Sequence, residues 1–276
     1  MDLGLTLFRF STTFYLIGTV AYGIYLFFPK KWAYRTASIS LLAGFILHTG
    51  SFTSRISKLG FPPISNLHDA LSFMAWAVIG IYLVILIWYK IRIIGAFISP
   101  LALVLMLFAY SLPKDIAPIV VPYVKTFWLP VHIFLVFIGN GFLAVAFAVA
   151  IMYMLQEYQL KAKKIGKLYH ALPSLGILDN INHKALLWGF PLLTLGVICG
   201  AIVVQQQQLQ GGLLVWSKRE IWTLMIWVLY AVLLHGRIYS GWRGRKASTI
   251  SIISFIVLLV TFFGINLTIG EGFRFH

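Results

Sequence analysis

Residues 216–246 read WSKREIWTLMIWVLYAVLLHGRIYSGWRGRK, and their pattern decides the fold class. Tryptophans and the carboxylate of Glu220 stand at the start, and an uncharged apolar run follows from Trp222 to Leu234. A basic exit through Arg237, Arg243, Arg245 and Lys246 closes the stretch. An apolar run framed by aromatic and basic residues is the signature of a membrane-crossing helix. His235 arrives at the far end of that run. An imidazole within a span is costly unless it meets a polar path, a metal or a cofactor, which makes His235 a functional lead.

The rest of the chain is built for the same solvent. Of 276 residues, 60% are hydrophobic and 11% charged, with a mean hydropathy of +0.90, a balance outside that of soluble domains. Apolar windows of about twenty residues predict an all-α polytopic membrane helix bundle of about eight transmembrane helices. They fall at roughly 6–28, 36–53, 70–89, 94–112, 130–155, 185–204, 222–239 and 249–268, within one membrane domain over 1–276. The start, MDLGLTLFRF, has too few cations and no small-residue cleavage pattern for a removable signal, so it reads as a permanent first helix.

Fourteen of the 22 Lys and Arg residues lie in the loops 29–35, 90–93, 156–184 and 236–247. Basic residues are retained on the cytoplasmic side, so both termini are expected to be extracytoplasmic, in a multi-pass protein of the cell's inner (cytoplasmic) membrane. The tract QQQQLQGG at 205–212 reads as an external loop. A formal charge of +15 spread over separate loops is a topology signal and a contact for the anionic bilayer, not a nucleic-acid footprint. The single Cys199 lies in an apolar run, which excludes a disulfide framework and any C-x-x-C redox chemistry within the chain.

The order W-x-x-x-E-x-W, an apolar helix, L-H-x-R and G-W-R-G-R resembles the carboxy-terminal core of the cytochrome c assembly membrane proteins, the CcsA/ResC group and their HemX-like relatives. Three other segments carry the same resemblance: GFPPISNLHDALSFMAW at 60–76, FWLPVHIFLVFIGNGFLAVAFAVAIMYML at 127–155 and LPSLGILDNINHKALLWGFPLLTLGVICGAI at 172–202. The resemblance implies eight helices and the binding or transport of haem b. It makes His132, beside Trp128 and Pro130, the match to an outward-facing haem ligand, and His235 the match to a haem histidine within the membrane. It places a second outer ligand after the last helix, where Gly264-Ile265-Asn266 begins the pattern and only the terminal His276 is present. The tryptophan-rich loop of the family survives as Trp216, Glu220 and Trp222, with Ser217, Lys218 and Arg219 replacing its D-P-K positions.

Isolated histidines far apart in sequence suit haem iron, which accepts axial imidazoles from distant helices, better than zinc. Each candidate also has a plainer reading. His132 can hydrogen-bond at the interface, His276 can be a mobile tail, and Trp216 and Trp222 can form an aromatic belt. His48 and His235 can each donate to backbone or water. His68 is a substitute outer ligand, although Ser65 or Asn66 capping the third helix and Asp69 at its positive end explain SNLHDA as well. His170 and His183 read as ordinary polar residues.

Two functions follow. The first is a haem-handling protein of cytochrome c maturation that presents haem at the outer face, beside an extracytoplasmic partner and the apocytochrome. In that role it would be at most the haem-handling subunit of a cytochrome c synthase, or haem lyase. The second is a HemX-like regulator acting on cytosolic glutamyl-tRNA reductase. A solute transporter fits less well, because the spans lack the intramembrane carboxylates used for ion coupling.

Overall fold

A computed structural model describes the backbone of residues 2–59, 66–112, 127–163, 166–209 and 218–268. Within these it describes the side chains of 2–57, 66–112, 127–163, 166–206 and 221–263. The described residues form helices α1 (Leu3–Phe27), α2 (Lys31–Leu59), α3 (Leu67–Tyr89), α4 (Gly95–Ser111), α5 (Trp128–Lys161), a short α6 (Lys167–Ala171), α7 (Leu175–Leu209), α8 (Lys218–Ile238) and α9 (Gly244–Thr268). A 3-10 turn over Arg92–Ile94 leads into α4. No strand occurs among them, and the all-α polytopic bundle holds.

Seven of the eight long helices are long and apolar enough to cross a membrane; α2 is the exception. Its 36–53 window holds no Lys or Arg, but Thr36, Ser38, Ser40, His48, Thr49, Ser51 and Thr53 are scattered through it and dilute its hydropathy. It nevertheless lies along α1, with Gly18 against Leu41 and Gly44 against Tyr15.

Local chemistry sets the helix ends. Asp2 caps α1 by accepting from the Gly4 N–H at 3.0 Å, and Asn66 caps α3 by accepting from the Asp69 N–H at 2.8 Å. Pro130 sits in the first turn of α5, where its missing N–H costs nothing. Two segments expected as loops are partly helical. The polar residues 205–209 continue α7, and the loop 156–184 shrinks to 162–174 around α6. Gln and Lys are good helix formers, so helices run on past the apolar window that defines the span.

The long helices alternate in direction and pack as antiparallel pairs α1–α2, α3–α4, α5–α7 and α8–α9. One end of the bundle, the terminal end, therefore gathers residues 3, 59, 67, 111, 128, 209, 218 and 268. The other, the basic end, gathers 27, 31, 89, 95, 161, 175, 238 and 244. Cross-contacts agree: Phe108 meets Phe263 at the terminal end, and Tyr22 meets Tyr82 and Ser38 toward the basic end. Helices α3 and α5 form the centre, with α1 against α4, α3 against α5 and α5 against α9.

Candidate functional site

The approach of α5 to α7 prepares a place for His132. Gly139 and Gly189 let the two backbones touch, since a Cβ on Gly139 would come 2.9 Å from the Leu193 nitrogen and 3.0 Å from the Gly189 oxygen. Gly196 and Gly200 continue the contact toward the terminal end in a small-x-x-x-small spacing that permits close helix crossing. A Cβ on Gly200 would lie 2.8 Å from both Cε1 and Nδ1 of His132, so the imidazole occupies the space of the missing side chain. His132 Nδ1 donates to the Gly196 carbonyl at 2.7 Å. That bond fixes the tautomer and leaves the lone pair on Nε2, the arrangement in which a histidine can ligate a metal.

Depth follows from one bond between α7 and α8. Trp227 Nε1 donates to Thr194 Oγ1 at 2.9 Å, so these residues share a level. Gly200 then lies about 9 Å and Trp222 about 7.5 Å toward the terminal end. Trp222, 39% exposed, is thus level with His132. Trp128, in the first turn of α5, stacks edge-on against Phe127 at 5.8 Å. Trp216 and His276 lie outside the described residues, as does the side chain of Glu220, whose backbone belongs to the first turn of α8.

His235 stands about 12 Å from Trp227 in the opposite direction, so it and His132 are about 20 Å apart in depth and serve separate places. It is not enclosed within the bundle: it lies on an exposed face in the last turns of α8, stacked on Tyr239 with ring centroids 4.5 Å apart. Two residues on, about 200° around the helix, Arg237 turns inward. Its guanidinium reaches Asp179 Oδ1 at 2.9 Å, Asn182 Oδ1 at 3.0 Å and His183 Nδ1 at 3.2 Å, and Asp179 also accepts from the Gly244 N–H at 3.0 Å. His183, expected as an ordinary polar residue, belongs to this network.

His48 is brought to His68, not to His235. Both are buried beside Phe8, whose ring centroid is 6.1 Å from His48 and 4.8 Å from His68. Both nitrogens of His48 are engaged, Nε2 with Ser72 Oγ at 2.8 Å and Nδ1 with Tyr15 Oη at 3.4 Å. His68 Nδ1 donates at 2.7 Å to the Ala109 carbonyl, one of the last in α4, and so closes that helix end. Next to them Arg55 Nη2 lies 2.8 Å from Asp69 Oδ1, a charge contact without the direction of a good hydrogen bond, and both side chains are buried. The pairs Arg55–Asp69 and Arg237–Asp179 were missed in the sequence. Their only signal was a lone carboxylate near the end of one span and a cation near the end of another.

Residues 64–271, about three quarters of the chain and containing both His132 and His235, match the model of the cytochrome c assembly protein family. The chain belongs to that family. Among curated members, it is 29% identical to the cytochrome c biogenesis protein CcsA of Synechocystis sp., over 93% of this chain and 92% of that one. It is 30% identical to CcsA of Guillardia theta, over 93% and 91%, and 31% identical to CcsA of Microcystis aeruginosa, over 79% and 80%. Membership supports a role in cytochrome c biogenesis, a process that involves haem, in a multi-pass membrane protein. The relatives give no support to the HemX-like alternative.

Proposed function

We propose that this protein holds haem b at the terminal end of the bundle, through His132, and presents it outside the cytoplasmic membrane for attachment to apocytochrome c. The observation that supports the reading is the bond from His132 Nδ1 to the Gly196 carbonyl, which commits one ring nitrogen to the helix and leaves the lone pair of the other for a metal. Gly200 seats the ring, and Trp222 offers an aromatic face at the same level. Haem is cargo here: its vinyl groups and the thiols of the apocytochrome supply the thioether chemistry. The chain itself has one cysteine, Cys199, which is buried, so a partner must keep the substrate thiols reduced. His235, at the other end and on an exposed face, is a second haem contact, reached before the cargo arrives at His132. Trp216, Glu220 and His276 complete the outer site in this reading, with both termini external.

The test is a deletion strain. Its extracts should lose covalent haem stain after denaturing electrophoresis while b-type cytochromes persist, and the protein purified in mild detergent should show a b-type visible spectrum. Normal covalent staining, with no other assembly protein to substitute, would sink the reading. Reporter fusions after Lys167 should be cytoplasmic and fusions at the carboxy terminus external.

A further inference from the structure

We propose that the basic end carries a binding site for the phosphate of an anionic lipid headgroup, between the end of α1, the start of α2 and the turn before α4. A cavity of about 300 Å³ opens there, lined by Tyr25, Pro29, Lys31, Tyr34, Arg35 and Arg92. Three cations from two separate elements converge on it. Arg92 is held over the Tyr34 ring at 4.3 Å, and the Tyr25 ring lies 5.8 Å from that of Tyr34, so one guanidinium is positioned in advance by an aromatic floor.

No described carboxylate answers these charges. At this end Glu157 is engaged with Lys161 and Arg245, and Asp179 with Arg237. Among the described residues Lys31, Arg35 and Arg92 form no ion pair. Lys31 and Arg35 also occupy the opening turns of α2, which has no acidic residue in its first turn, so like charge faces the positive end of a 29-residue helix. A bound anion removes that repulsion, and guanidinium forks with a lysine suit a phosphate.

The setting selects a headgroup as the source. Phe27, Phe28 and Trp32, all more than half exposed, ring the same level and mark the membrane interface, where lipid phosphates lie. Lys167 on α6, 5.6 Å from the Phe28 ring, adds to the local positive field.

The experiment uses the full chain in nanodiscs of phosphatidylglycerol and phosphatidylcholine, with retained lipid read by native mass spectrometry. The wild type should keep a phosphatidylglycerol adduct, and Arg35→Gln with Arg92→Gln should lower its retention about tenfold. Arg243→Gln with Lys246→Gln, which removes the same charge from the same end, should leave retention nearly unchanged. Equal loss in both double variants would mean diffuse surface charge and overturn the site. A second arm measures thermal stability in lipid-free, non-ionic detergent. Phosphatidylglycerol should raise the Tm of the wild type and not of the Arg35/Arg92 variant, while millimolar inorganic phosphate should do nothing. An equal rise with inorganic phosphate would assign the cavity to a soluble phosphate and overturn the lipid. Unchanged Tm values of the two double variants in phosphatidylcholine alone control for folding.

Discussion

His48 and His132 both lie in the terminal half of the bundle, yet their rings are spent differently. His48 is fully buried, with Ser72 on one nitrogen and Tyr15 on the other. His132 uses one nitrogen on the Gly196 carbonyl, and no described residue bonds the other. Burial alone therefore does not leave a histidine able to ligate; an uncommitted ring nitrogen is the condition that His132 meets and His48 does not. The amino-terminal helices are latched by polar side chains. The carboxy-terminal half has its own polar latch around Arg237, which engages His183, but at the α5–α7 contact it packs backbone on backbone through glycine and leaves one nitrogen of His132 uncommitted.

The contrast breaks first at the latch. Arg55→Gln removes the cation of a buried pair, and breaking such a pair costs about 3 kcal/mol or more. Chemical unfolding in mild detergent should register that loss, with haem content per folded molecule unchanged. Wild-type stability in this variant would show that the terminal latch is ornamental. His48→Ala should cost less, about 2 kcal/mol, from the cavity and the unpaired Ser72 and Tyr15 hydroxyls. Loss of haem from a stable His48 variant would instead place His48 among the ligands and erase the comparison.

His132→Ala sharpens the same contrast from the other side. Haem content should fall about tenfold, equivalent to about 1.4 kcal/mol of binding, with the Soret band of any remainder shifted. Gly200→Val should reproduce the loss while keeping the imidazole, because a side chain there takes the space of the ring. Unaltered haem and spectrum in both variants would remove this site from the mechanism.

The spans were legible because compatibility with hydrocarbon is read residue by residue along one chain. What lay beyond the bilayer was not: 205–209 and 156–161 are helical through propensity and continuity, which an apolar window does not register. The site divides in the same way. His132, Trp128 and Trp222 are candidates that a linear motif supplies, and the Asn66 cap follows from a local rule. The seat for His132 needed the pairing of α5 with α7, and the commitment of His48 needed Ser72 and Tyr15 from two other helices. The spacing of Gly196 and Gly200 signals a close crossing but not which helix crosses there, and the partners of His48 have no linear signature at all. His235 is expected to meet a polar path, a metal or a cofactor because an imidazole within a span is costly, but near a helix end the headgroup region relieves that demand, and the inward place is taken by Arg237.

The smallest stability effect belongs to His235. Its side chain is exposed and touches Tyr239 by stacking alone, so His235→Ala should change stability by no more than about 0.5 kcal/mol. Its spectral effect should nonetheless be distinct. If haem contacts the bundle at two places about 20 Å apart in depth, the spectra of His132→Ala and His235→Ala each lose a different component. Sites that far apart with no shared partner act independently, so the double variant should show the sum of the two changes. A double variant no worse than His132→Ala alone would mean that His235 holds nothing of its own. A spectrum unchanged by His235→Ala would leave His132 as the sole imidazole on the haem path and would make exposure, in this half of the molecule, as poor a guide to function as burial is in the other.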